Sequence, residues 1–501
     1  MLGTLAVLAG PAAAGKSDDT LRMAVTDWWS TLDPYQFPIE EAAVFYQTVY
    51  ETLLSYDEHK NQFVPRLAKS WTRIDDRTLE FQLRDDVKFH NGDKFDADDV
   101  VETVRFNADP AVPLRHKDTY NWVEKVEKTG PYTVRITAKH AFPTDLQTIA
   151  YQFYIYDSKV LNKLPVKTDY GHAGLVATGP YKVVTLDQQK MVLERFEDYY
   201  DKTGPNRAPI KRIVVTPIPD RQTQIAQFIT GNLDILRNVS ADMARDLKQI
   251  PDTQITPKHH GMLLYITLDA TGRSDNKAMT DQRIRKAFMM AIDRKDLARN
   301  VIPGGEIADM LDGICLKAIV ACDSSTSPAG YDPAQAKKLL AEAGYPEGLD
   351  LELAVHAPIR EIAEAIAGQV RKVGIRASVR PLPLALYVRL RGEGKLTAFV
   401  GFRPLGTQPD MSEVFDFFFD GNRDYWNDPV IKAAQAAGGR EFDPAKRTAD
   451  YRRGVDQVNT MNYIYPVSDL PIVFAHKKDV RIAEDPLRLI DVQVRDFFWN
   501  E

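Results

Sequence analysis

The stretch from Pro65 to Phe106 constrains the fold more than any other part of the chain. It reads PRLAKSW, a short spacer, then TLEFQLRDDVKFHNGDKFDADDVVETVRF. Leu79, Phe81 and Leu83 alternate with Glu80 and Gln82, the period of a half-buried strand. Asn91-Gly92 is a turn dipeptide, because glycine adopts positive φ without steric cost. Asp96 then caps a helix whose first turn holds Asp98 and Asp99, where the helix dipole favours negative charge. Val100 and Val104, four apart, form an apolar stripe that can dock on the strand.

Further elements follow along the chain. Strands are expected at 20–24, around Tyr132, Val134 and Ile136, from Thr178-Gly179-Pro180-Tyr181 through Val184, at 213–216, and at 351–355. Met262 to Leu268 is a continuous apolar run, which fits a buried strand crossing between domains. Ile284, Phe288 and Ile292 mark one helix over roughly 281–300. Asp332, Pro333, Gln335 and Gly344 supply the N-cap, first helical residue, capping-box partner and stop of another. Ile362, Ile366, Val370 and Val373 line a third, ended by Gly374. Alternation of strands and helices of these lengths predicts an α/β architecture.

At 501 residues the chain needs two or three compact units. Its 44% hydrophobic and 27% charged residues suit a globular protein. A net charge of −6 argues against nucleic acid as a partner, since phosphate contacts need basic surface. No apolar run reaches eighteen residues, so direct membrane insertion is not expected. Leu2–Ala9 followed by Ala12-Ala13-Ala14 resembles the end of a signal peptide cleaved before Gly15. The same region satisfies a competing pattern. Gly10, Gly15, Lys16 and Ser17 match the phosphate-cradling G-x-x-x-x-G-K-[ST], which leaves a P-loop ATPase as an alternative.

The Pro65–Phe106 stretch closely resembles the signature of the family-5 extracytoplasmic solute-binding proteins, the dipeptide, oligopeptide, nickel and opine receptors of bacterial ABC importers. The TGPY element at 178–181, RIRKAFMMAIDRKDL at 283–297 and the segment 331–345 resemble further parts of that family. The resemblance implies a two-lobed type II periplasmic-binding-protein fold joined by a two-strand hinge. Lobe I would comprise 15–264 plus 477–501, with an inserted subdomain at about 51–177. Lobe II would comprise 265–476, and residues 1–14 a signal-peptide remnant. It implies a monomeric, exported, periplasmic receptor of the Gram-negative type. Such a receptor passes a small-molecule solute to permease subunits, without catalysis, cofactor or resident metal.

Cys315 and Cys322 are the only cysteines, and a local pair in an exported chain reads as a disulfide. A zinc site and two buried thiols are the alternatives. Catalytic motifs such as H-E-x-x-H and G-x-S-x-G are absent from the sequence. Neighbouring strand residues point to opposite faces, so His259 and His260 chelate one metal poorly.

Four segments carry candidate ligand-binding residues. Trp28 and Trp29 follow the first strand, where one can stack on a solute and the other pack, or both can be structural. His260 lies just before the crossing strand, as a ligand contact or a packing residue. In the Gly401–Asp410 segment, peptide-binding relatives carry an Asp for the peptide amine where this chain has Leu405. Arg403 offers a bidentate partner for carboxylate or phosphate, or a surface ion pair. Asp410 either reaches the cleft or caps the following helix. His356 stands near the place where dipeptide-binding relatives hold an Arg for the peptide carboxylate. Both changes point away from simple peptides, toward opine-like, modified amino-acid or sugar-acid solutes. A conventional di- or oligopeptide receptor is the alternative.

Overall fold

The computed structural model describes residues 15–36, 40–114, 117–172, 175–204, 206–405, 409–484 and 492–500. Two large sheets organise them. The first has seven strands in the order Thr253–Lys258, Ile472–Lys477, Ile235–Leu236, Thr20–Val25, Arg212–Pro217, Met191–Arg195 and Tyr181–Leu186. The second has five, in the order Ile375–Leu382, Leu349–His356, Ala398–Pro404, Met262–Leu268 and Ile464–Asp469. A four-stranded antiparallel sheet is built from Ala68–Arg73, Thr78–Leu83, Thr133–Ala138 and Val123–Gly130.

The Met262–Leu268 run is apolar except at Thr267 because both of its faces are buried. Leu264, Ile266 and Leu268 join one core of the five-stranded sheet, while Leu263 and Tyr265 join the core on its other face. A strand covered on both sides has no solvent face to make polar. The chain leaves the seven-stranded sheet after Lys258 and enters the five-stranded sheet at Met262. It returns between Asp469 and Ile472. These two crossings, at 259–261 and 470–471, lie a few residues N-terminal to the boundaries at 264/265 and 476/477 expected from sequence.

The Pro65–Phe106 stretch folds as its pattern dictates. Leu79, Phe81 and Leu83 are buried in the strand Thr78–Leu83. Gly92 has φ +91°. Asp96 caps the helix Ala97–Ala108 through Asp98 N–H, and Asp99 reaches back to complete a capping box. Asp332 caps Pro333–Glu342 by accepting from Gln335 N–H, and Gly344 stops it at φ +92°.

The single helix expected over 281–300 is instead two, Gln282–Met290 and Arg294–Asn300. Asp293 accepts from Asp296 N–H and so caps a new helix, while its own N–H donates to Gln369 at 2.8 Å. Ile284, Phe288 and Ile292 still face one core, so the apolar stripe survives the break.

The P-loop pattern meets the wrong backbone. Its residues 10–14 lie outside the described residues, as does the proposed cleavage region. Lys16–Asp18 form one 3₁₀ turn that leads into the strand Thr20–Val25. A P-loop needs its Lys and Ser at the start of a helix, where backbone N–H groups converge on phosphate.

Candidate functional site

In open α/β sheets, ligands gather outside the carboxyl ends of the parallel strands. Three strands of the five-stranded sheet, Leu349–His356, Ile375–Leu382 and Ala398–Pro404, run parallel and end on one side. His356 and Arg403 stand at those ends. The His356 ring lies 5.3 Å from Phe402 and 6.1 Å from Tyr387, and burial pushes its pKa below the ordinary histidine value. A neutral imidazole between aromatic rings suits an apolar or hydrogen-bonding wall better than a cation.

Arg403 is the most unusual group here. Its side chain is 14% exposed, and its guanidinium lies 4.1 Å from the Phe417 ring centre. Nη2 donates to Glu413 O at 3.0 Å and to Glu413 Oε2 at 3.2 Å. Nε is buried without a partner among the described residues. Burial pushes the pKa down to about 10, against the pull of the ion-paired Glu413 carboxylate. Such a group gains from an anion that brings paired acceptors.

The other expected residues divide clearly. Trp28 is half-buried and donates from Nε1 to Asp187 O at 2.9 Å. It stacks on Trp29, with ring centres 5.1 Å apart. Trp29 is buried in the core of the seven-stranded sheet and has no face to offer a solute. His260 is half-buried in the first crossing segment. Asp410 is fully buried and caps the helix Met411–Phe419 through Ser412 N–H at 2.8 Å. Both its oxygens are also taken by Arg447, at 2.6 Å each. Its carboxylate is therefore committed inside the protein. Cys315 and Cys322 are joined in a disulfide, with Cα atoms 5.9 Å apart.

Sequence reasoning passed over the hinge chemistry. Asp469 accepts from His259 Nδ1 at 2.6 Å and from Asp309 N–H at 2.7 Å, tying the return strand to the outgoing one. That hydrogen bond raises the His259 pKa. A cavity of about 470 Å³ opens beside it, between His259, Gly261 and Asp469 and the loop holding Asp309, Lys317 and the disulfide. Phe417 and Tyr387 were also passed over. The FDFFF run at 415–419 signals aromatic density, but only the fold reveals which ring meets Arg403.

The arrangement matches known proteins along most of its length. The family model for bacterial extracellular solute-binding proteins, family 5 (middle), matches residues 62–426. The glutathione-binding protein GsiB of Shigella dysenteriae is 26% identical over 499 residues, covering 96% of this chain and 94% of that protein. Heme-binding protein A of Haemophilus influenzae is 28% identical over 382 residues, covering 70% of this chain and 68% of that protein. The crystal structure of the ABC transporter substrate-binding protein CtaP from Listeria monocytogenes superposes with a TM-score of 0.83 at 19% identity, covering 96% of this chain and 99% of that one. The architecture is thus the two-lobed type II fold, with one large sheet in each lobe. With the family model spanning well over half of its residues, the chain belongs to family 5 of the bacterial extracellular solute-binding proteins, the solute receptors of ABC importers.

Proposed function

We propose that this receptor captures a small polar organic solute bearing a carboxylate or similar anionic group, closes its lobes around it, and delivers it to permease subunits. The solute class is peptide-like, opine-like, or another amino-acid or sugar-acid derivative. The receptor works in the periplasm as a monomer, and no bond is made or broken. The lobes move as the units 15–264 with 477–501 and 265–476, adjusted to the crossings at 259–261 and 470–471. Among the described residues, no helix is long and apolar enough to cross a membrane.

The buried Arg403 guanidinium, whose Nε has no partner among the described residues, carries this reading. The solutes named for two relatives agree with it, since glutathione and haem both carry two carboxylates. Trp28, His260 and His356 are the further contacts proposed. Selectivity follows from closure, because closing buries polar groups that only a matching solute satisfies.

A conventional peptide receptor is compatible but less favoured. By the resemblance to peptide-binding relatives, Leu405 stands where they carry the acidic group that holds a peptide amine. It is buried, and its N–H donates to Gly261 O at 2.7 Å.

A thermal-shift panel on ligand-stripped protein tests the proposal. It would hold dipeptides, glutathione, opines, sugar acids, haem, nickel chelates and magnesium-ATP. A solute at about a hundred times Kd adds roughly 2.7 kcal/mol of stability. Stabilisation by an anionic organic solute is expected. A response to magnesium-ATP alone, or to none of the carboxylate-bearing solutes, would refute the reading.

A further inference from the structure

Away from the crossing strands, the two lobes touch through a buried polar cluster. Arg447, on the long helix Pro444–Met461, grips Asp410 through both Nη atoms, and both residues belong to lobe II. Asp410 Oδ2 also accepts from Gln147 Nε2 at 3.1 Å. Gln147 lies on the helix Asp145–Gln152, in the segment that carries the four-stranded sheet of lobe I. Beside it, Arg73 pairs with Asp145 at 2.7 and 2.9 Å and lies 4.9 Å from the Phe442 ring of lobe II. The loop closed by Cys315–Cys322 completes the contact. Val320 N–H donates to Pro409 O, Met411 N–H donates to Val320 O, and the Val320 side chain packs against the lobe I core.

We infer that this cluster is an interlobe latch, in which Gln147, Val320 and Phe442 are positioning residues that hold the closed form without touching the solute. The argument concerns what opening would break. Arg447 and Asp410 sit on one lobe and stay paired when the lobes part, so no buried charge is stranded. Opening loses one hydrogen bond to a buried carboxylate, one arginine–aromatic contact and the burial of Val320. The hydrogen bond to the carboxylate shifts the open–closed balance by about ten- to a hundredfold, and each of the other two contacts by about three- to tenfold. A latch of that size biases the receptor toward closure yet still lets it open for solute. The disulfide belongs to the device, because it fixes the loop that presents Val320.

This inference rests on the lobe closure proposed above, and the test separates the two. Nitroxide labels would be attached to cysteines introduced at exposed Val184 and Leu384, one on each lobe. Distances would be measured by pulsed electron resonance on ligand-stripped protein, with and without glutathione and the other panel solutes. The triple variant Gln147→Ala, Val320→Ser, Phe442→Ala would be compared with the parent, and Gln147→Ala alone serves if the triple variant melts early. In the solute-free state the variant is expected to lose short distances in favour of long ones, by about tenfold or more in ratio. If a solute changes the parent's distances but the variants match the parent without solute, the latch is overturned and closure stands. If neither solute nor substitution moves the distances, closure and latch fall together.

Discussion

Single residues decide where this chain can bend and where it cannot. Gly179, in the TGPY element, lies so close to the end of the helix Glu40–Val49 that an added Cβ would sit 2.5 Å from Val49 O and 2.6 Å from Thr48 O. Backbone cannot step aside cheaply, so Gly179→Ala should cost about 1–3 kcal/mol in urea denaturation, with the m-value unchanged. At the hinge, His259 donates to Asp469, which raises the histidine pKa above its ordinary value of about 6.5. A folded pKa above the unfolded one means that the stabilisation is complete below about pH 6.5 and fades as pH rises through the folded value. His259 is partly exposed, so the contribution stays within about 1 kcal/mol. Titration of the His259 imidazole by NMR should give a midpoint above about 6.5, and Asp469→Asn should lower it. A wild-type midpoint at or below that value would contradict the pairing. Residue identity alone did not separate Arg403 from Asp410, both plausible anchors. The fold gives Asp410 two arginine contacts and leaves Arg403 Nε without one among the described residues.

At the scale of elements, local chemistry was legible at the helix starts where neighbours in sequence supply the partners, except at Asp293, whose cap on Asp296 N–H lay hidden inside a continuous apolar stripe. The helix Ala97–Ala108 begins at Asp96 and the helix Pro333–Glu342 at Asp332, because an N-cap needs only residues two or three positions on. The break at 291–293 was not legible in the same way. Part of its cause is Gln369, which is distant in sequence. The Cys315–Cys322 loop lies between these regimes, since proximity in sequence suggests the bridge and the fold gives it a task. Replacing both cysteines by Ser should lower stability by about 2–3 kcal/mol, the loop-closure value for so short a ring. If the loop also presents Val320, the same change should weaken solute affinity by more than a stability loss alone explains. Calorimetric titration at a temperature where both proteins are fully folded would show it.

For the whole molecule, the proposed function rests on closure of two lobes joined by the crossings at 259–261 and 470–471. Arg403→Gln should reduce affinity for an anionic solute by about ten- to a hundredfold, the range for a lost charge-assisted hydrogen bond. Its melting temperature without solute reports separately on the lost packing against Phe417. Arg403→Lys should recover only part of the affinity, because an ammonium lacks the planar fork. Unchanged affinity in Arg403→Gln would remove the central residue of the proposed site.

Periodicity and motif were enough to reach the α/β class, the strand–turn–helix unit at 65–106, the buried strand at 262–268 and the family. Each of these is written in periodicities and motifs that act over a few residues. Three-dimensional packing was needed to place Trp29 in the core, to lock Asp410 to Arg447 and Gln147, and to tie the hinge together through Asp469. Those assignments depend on partners up to 263 residues apart in the chain. Whether a charged side chain is spent or available is a property of its three-dimensional neighbours, since burial and pairing set its energy more than its identity does.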